Sequence, residues 1–117
     1  MENLTIDEVI SLYIDAADKQ YGAIQVGNTR AADKVGGVIA TAYRELRQRG
    51  VQAQTALLPL LEHPDPSVRI WAASHTLEFE PEQAEPVLEK LAGEDSLQGF
   101  SGDMTLRVWR DGSLRFP

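Results

Sequence analysis

Stripes of apolar residues with helical spacing, each bounded by capping or turn-forming residues, most constrain what this chain can fold into. The first stripe follows the sequence Thr5-Ile6-Asp7-Glu8 and consists of Ile6, Val9, Ile10, Tyr13, Ile14 and Ala17. Apolar residues at such three- and four-residue intervals share one face of an α-helix. A threonine followed three residues later by glutamate is a capping box. The segment therefore predicts a helix that begins after Thr5 and buries one face.

Four further segments show the same helical pattern. Asn28 and Asp65 are favourable N-cap residues, and Gly50 and Gly93 are typical of helix ends. Proline at position 59 is expected to bend the third helix, because it removes a backbone hydrogen bond. These predicted helices cover, in order, residues 29–49, about 52–61, 66–79 and 82–92.

Two stretches admit two interpretations each. Gly36 and Gly37 fall within the second predicted helix, where each costs about 1 kcal/mol relative to alanine. They indicate either the close approach of another helix or a local bend. Residues 104–116 are compatible with a helix capped by Ser101, or with a hairpin around Asp111-Gly112. We favour the helix, because a lone hairpin is marginally stable and five other helices would offer a packing surface.

The run LLPLLEHPDPSVRIWAASHTL, within residues 55–79, resembles a HEAT repeat: a helix bent at a proline, a turn with Asp65, then Val68-Arg69 and Ala72-Ala73. The resemblance implies an all-α fold, a compact right-handed α-α superhelix of HEAT/armadillo type. About six helices would form three antiparallel pairs in a single domain over residues 1–117. It also implies that Asp65 and Arg69 are structural and tie successive turns together.

A longer resemblance covers nearly the whole chain. The order GNTRAADK, AYRELRQRG, the HEAT-like run, EPEQAEPVLEKLA and MTLRVWRDGSLRFP is similar to a family of small bacterial proteins with an armadillo-like fold and no established function. This resemblance contributes no catalytic motif.

The charge distribution narrows the choice of partner. The net charge is −7, and residues 51–100 contain nine acidic residues against only Arg69 and Lys90. Such a surface repels phosphate backbones and anionic lipids over about 8 Å at physiological salt. We therefore expect neither nucleic acid nor a membrane as partner, and we expect a basic protein instead. The oligomeric state stays open.

Residue content also limits chemistry and location. The absence of cysteine excludes disulfides, thiolate catalysis and cysteine-ligated zinc. The spacing of His63 and His75 matches no familiar ligand motif, so we expect no metal and no cofactor. The N-terminal segment has acids where a secretory signal needs bases, and no apolar run is long enough for a membrane span. We expect a cytoplasmic protein.

His75 and Trp71 lie on the apolar stripe of the fourth predicted helix. Histidine titrates near neutral pH and can act as a general base. A base also needs a nucleophile and an orienting acid, and the sequence identifies neither. We interpret both side chains as packing residues.

The acidic run contains Glu78, Glu80, Glu82, Glu85 and Glu89. Such runs are usually solvated faces, and the alternative is a docking surface for a basic protein. Trp109 is a second candidate for partner binding, because tryptophan is enriched at interaction hot spots.

Asp15 and Asp18 are three residues apart and share one side of the first predicted helix. Two such carboxylates can act as a general acid and a general base, although we favour a structural role for them, as helix caps or in pairs with Arg30 and Lys34.

Two hypotheses for the function of the protein follow from these observations. The first is a non-catalytic protein-binding module, such as an immunity-type or regulatory inhibitor of a basic protein. The alternative is a small-molecule-binding protein or enzyme with a groove near His75, Trp71, Asp15 and Asp18.

Overall fold

The computed structural model describes residues 1–117 and contains six α-helices, one 3-10 helix and no β-strand. The 3-10 helix, Thr55–Glu62, lies between the third and fourth α-helices. The all-α prediction is confirmed. The α-helices are α1 (Ile6–Gln25), α2 (Thr29–Arg49), α3 (Val51–Gln54), α4 (Pro66–Thr76), α5 (Pro81–Ala92) and α6 (Leu97–Arg110).

Local capping explains where several helices begin and end. Thr5 and Glu8 form the predicted capping box at the start of α1, and these hydrogen bonds hold the pKa of Glu8 below its usual value. Asn28 and Asp65 accept backbone N–H bonds at the starts of α2 and α4. Gly50 ends α2 with a φ of 109°, a left-handed conformation that glycine adopts without strain.

The predicted third and fourth helices differ from the structure. The third is α-helical only to Gln54 and continues as a 3-10 helix that contains Pro59. Proline has no N–H to donate and its ring crowds the preceding turn, so α-helical hydrogen bonding is interrupted there. Helix α4 ends at Thr76 rather than Phe79, and a turn precedes Pro81.

The tail forms a helix, not a hairpin. Helix α6 begins earlier than predicted, because Ser96 supplies the N-cap and accepts the backbone N–H of Gly99. The expected Ser101 cap is wrong, since Ser101 lies within α6. Residues 113–117 have no regular secondary structure.

The chain divides into two compact units, residues 1–57 together with Pro117, and residues 58–116. In the first unit α1 packs against α2. The side-chain amide of Gln54 is buried and donates to the Tyr43 hydroxyl at 3.0 Å. The fully buried side chains of α1 and α2 are Val9, Tyr13, Ala17, Ile39, Ala42, Tyr43 and Leu46.

The basic C-terminal end of α2 contacts both ends of the chain. Arg49 donates to the Met1 carbonyl oxygen at 2.8 Å and pairs with Glu45 at 2.7 Å. Arg47 donates to the Pro117 carbonyl oxygen and lies over the ring of Tyr43. Cations at this position also oppose the negative end of the helix dipole. These two arginines therefore have structural partners.

In the second unit α4, α5 and α6 pack against one another, and α6 approaches the backbone of α5 closely. A Cβ atom on Gly99 would lie 2.7 Å from the Leu91 carbonyl oxygen, and one on Gly102 would lie 3.2 Å from that of Leu88. The earlier glycine pair behaves differently. A Cβ on Gly37 would have no neighbour within 4 Å, and one on Gly36 would lie 3.9 Å from the Gln20 side-chain nitrogen, an ordinary contact. The close-approach interpretation of that pair is therefore wrong.

Alanine at Gly99 is expected to lower the free energy of unfolding by about 3 kcal/mol, because its Cβ would clash with the carbonyl oxygens of Glu94, in the turn before α6, and of Leu91 in α5. Alanine at Gly37 is the matched control. It should raise the free energy of unfolding by about 0.5–1 kcal/mol, because glycine is unfavourable in an open helical position. Urea denaturation of both variants measures the difference. Equal effects of the two substitutions would contradict the close contact.

Tyr13 gives the fold an expected sensitivity to alkaline pH. Burial, with a smaller contribution from Tyr43, raises the pKa of Tyr13 well above 10.0. Because the folded-state pKa exceeds the unfolded value, this stabilisation is complete below about pH 10 and is lost as pH rises further, by about 1.4 kcal/mol per pH unit. Tyr13→Phe should make the loss less steep in urea denaturation between about pH 9 and 11. An unchanged slope would contradict the assignment.

Candidate functional site

The predicted acidic residues lie on α5 and the turn before it. Glu78 is exposed in that turn, and Glu80 occupies the N-cap position of α5, where its carboxylate accepts from Gln83 at 3.3 Å. Because α4 and α5 are separate helices, the acidic side chains do not form one continuous helical stripe. Glu82, Glu85 and Glu89 belong to α5 alone.

Arg110 of α6 neutralises part of this acidic surface. Its guanidinium lies 3.3 Å from a Glu85 carboxylate oxygen and 2.6 Å from one of Glu89. The hydrogen bonds to Glu85 and then Glu89 raise the pKa of Arg110. The sequence places only Arg69 and Lys90 among the acidic residues of the segment 51–100. Arg110 lies 25 residues after Glu85 and comes close only because α6 packs on α5, so local sequence patterns do not predict this pairing.

The negative charge of the protein is concentrated in the second unit. Residues 58–116 contain eleven acidic and five basic residues, a net charge of −6, whereas the first unit contains seven and six, a net charge of −1. Glu82 is exposed and makes no ion pair, and Glu94 and Asp95 are exposed after α5. Trp109 of α6 is partly exposed in the same unit. We call Glu78, Glu80, Glu82, Glu85 and Glu89 the acidic surface.

His75 is buried, as the packing interpretation requires. It is 3% exposed, and its ring centroid lies 5.8 Å from that of Trp71. Trp71 itself is half-buried. The imidazole therefore packs inside the second unit.

Asp15 and Asp18 are exposed on α1, in the first unit. Asp15 pairs with Lys19 at 2.9 Å, one helical turn away, so its predicted pairing with Arg30 and Lys34 is wrong. Both charges of this pair are largely solvated, and such surface pairs contribute little to stability.

Asp65 and Arg69 were expected to tie successive turns together. Asp65 accepts the backbone N–H of Ser67 at 2.9 Å and caps α4, which is a structural role. The Nε atom of Arg69 is buried and has no hydrogen-bond partner. The expected tie through Arg69 is therefore not formed.

Metal-binding geometry and membrane-spanning helices are both absent. No three His, Asp or Glu side chains lie close enough to hold a metal ion. No helix combines the length and the apolarity needed to cross a bilayer.

These features define a small all-helical protein with a negatively charged second unit. Comparisons with known proteins give its family and a similar fold. Residues 7–109 match the family described as Domain of unknown function (DUF2019), and the chain belongs to this family. It is similar to the crystal structure of the protein RPA1889 from Rhodopseudomonas palustris CGA009. The TM-score is 0.89 at 28% identity, and the match covers 98% of this chain and 96% of that chain. No curated protein matches.

His75→Ala should lower the free energy of unfolding by about 2 kcal/mol, because truncation leaves a cavity in the second unit. Gln48→Ala, at an exposed position of α2, is the control and should change it by less than about 0.5 kcal/mol. Urea denaturation measures both. A loss at His75 as small as that of the control would contradict its packing role.

Proposed function

We propose that this protein is a non-catalytic protein-binding module that uses its acidic surface to bind a basic protein. The main support for this proposal is the charge distribution: the second unit has a net charge of −6, and the whole protein has a net charge of −7. An immunity-type or regulatory inhibitor in the bacterial cytoplasm is the concrete form of this proposal. A HEAT-like helical scaffold would present the surface.

Electrostatic complementarity supports this function physically. A concentrated charge of one sign steers an oppositely charged protein and accelerates its encounter. Glu82 is available for such a contact, whereas Glu85 and Glu89 already share Arg110. Trp109 offers partly exposed aromatic area on the neighbouring helix and is a candidate anchor.

The arginines of α2 argue against nucleic acid as the partner. Arg47 and Arg49 hold backbone carbonyl oxygens, and Arg44 donates to the Thr41 hydroxyl at 3.3 Å. Phosphate recognition requires a stripe of available cations on one face. The burial of His75 likewise favours binding over catalysis in a groove.

Charge substitutions in the second unit should change the affinity in opposite directions. Glu82→Lys is expected to weaken binding of a basic partner about tenfold, and Arg110→Gln to strengthen it severalfold by releasing Glu85 and Glu89. Isothermal titration calorimetry, with a partner first recovered from the native host by affinity purification, measures both effects.

Glu2→Lys provides the matched control, because Glu2 is exposed in the first unit and the substitution makes the same charge change as Glu82→Lys. It should alter the affinity less than twofold, an effect of about 0.4 kcal/mol. Equal effects of the two lysine substitutions would show that only the net charge of the protein matters, and would contradict binding at the acidic surface. An acidic partner would refute the proposal.

A further inference from the structure

A cleft in the second unit combines apolar walls with two cations. It measures about 480 Å³, within the size range of small-molecule sites. Its lining comes from the 3-10 helix, α4 and α5, and consists of Leu61, Glu62, Arg69, Pro86, Val87 and Lys90. A neighbouring depression of about 440 Å³ shares Leu61, Glu62 and Val87 and extends the apolar wall to Leu58 and Pro59.

The two cations of this cleft are unusual for their part of the chain. Arg69 and Lys90 are the only basic residues between positions 51 and 100, and both line the same cleft. The nearby carboxylates of Glu85 and Glu89 pair with Arg110 of α6 instead. Neither Arg69 nor Lys90 forms an ion pair in the structure.

Arg69 also carries an unsatisfied donor. Its Nε atom is buried without a hydrogen-bond partner, although buried N–H groups are nearly always paired. Guanidinium groups bind carboxylates through two parallel N–H bonds, and a lysine ammonium adds a mobile charge beside them. Glu62 is the one carboxylate in the lining, so the cleft keeps a net charge of +1.

We propose that this cleft binds a small organic carboxylate with an apolar body. The carboxylate would lie between Arg69 and Lys90, and the apolar body would contact Leu61, Pro86 and Val87. The second unit as a whole is acidic and repels anions. The local charge of Arg69 and Lys90 must therefore attract the carboxylate. None of the lining residues belongs to the acidic surface, and the site does not depend on the function proposed for that surface.

Hexanoate is the probe, and hexanol and acetate test its two halves separately. Hexanol retains the apolar body without the charge, and acetate retains the charge without most of the apolar body. Titration of the full chain, followed by amide NMR shifts, should show saturable hexanoate binding that moves the amides of Leu61, Val87 and Lys90. Hexanol and acetate should each bind at least about tenfold more weakly.

Lys90→Met is the principal variant, because Lys90 is exposed and its replacement does not disturb the core. It should weaken hexanoate binding about fivefold, and Arg69→Met more strongly. Lys34→Met, at an exposed lysine of α2 in the first unit, is the matched control and should leave the affinity unchanged. Glu62→Gln should strengthen binding about threefold, by removing the repelling carboxylate.

Several results would overturn the proposal. If hexanol bound as tightly as hexanoate, the cleft would be an apolar site that does not recognise charge. If acetate bound as tightly as hexanoate, the binding would be a nonspecific attraction of anions to exposed cations. The absence of saturable hexanoate binding would refute the site directly. An affinity unchanged by both Lys90→Met and Glu62→Gln would place the ligand elsewhere.

Discussion

The close approach of α6 to the backbone of α5 is the contact on which the second unit depends. Gly99 and Gly102 permit it, because a side chain at either position would meet carbonyl oxygens of α5. The contact brings Arg110, at the end of α6, to Glu85 and Glu89. A hydrogen bond of 3.0 Å from Gln98 to the Ser67 hydroxyl also joins α6 to α4. Packing and charge pairing in this unit therefore have one geometric origin.

The ion pairs with Arg110 neutralise some of the carboxylates of α5 and leave another unpaired. Arg110 occupies Glu85 and Glu89, while Glu82 stays exposed to solvent and is available to a basic partner. The same arrangement leaves Lys90 without an ion pair, in a cleft that Arg69 also lines, and the buried Nε atom of Arg69 has no hydrogen-bond partner. The acidic surface and a small cleft with two cations thus coexist in one unit, because local pairing determines which charges are neutralised.

The sequence predicts what local chemistry controls. The caps at Thr5, Asn28 and Asp65 depend only on residues within three positions, and the structure confirms them. The apolar stripe of the fourth helix likewise predicts the burial of Val68, Ala72 and His75, although Trp71 of the same stripe is only half-buried.

Contacts between residues far apart in the chain could not be predicted from local sequence patterns. Gly99 and Gly102 form the close contact between helices. Gly36 and Gly37 are also glycines within a helix, and the sequence does not distinguish the two pairs. Arg110 reaches Glu85 across 25 residues, a contact that only the packing of α6 on α5 creates. The convergence of Arg69 and Lys90 on one cleft likewise depends on how three elements pack. The one available indication was that these two are the only basic residues in an acidic stretch.

If the proposed function is correct, the charge of the second unit drives association with a basic protein. Stopped-flow measurement of the association rate constant, with the partner recovered from the native host, tests it most directly when salt is varied from about 20 to 200 mM. The association rate constant should fall by about tenfold or more over this range, while the dissociation rate constant changes little. An association rate constant independent of salt would contradict it.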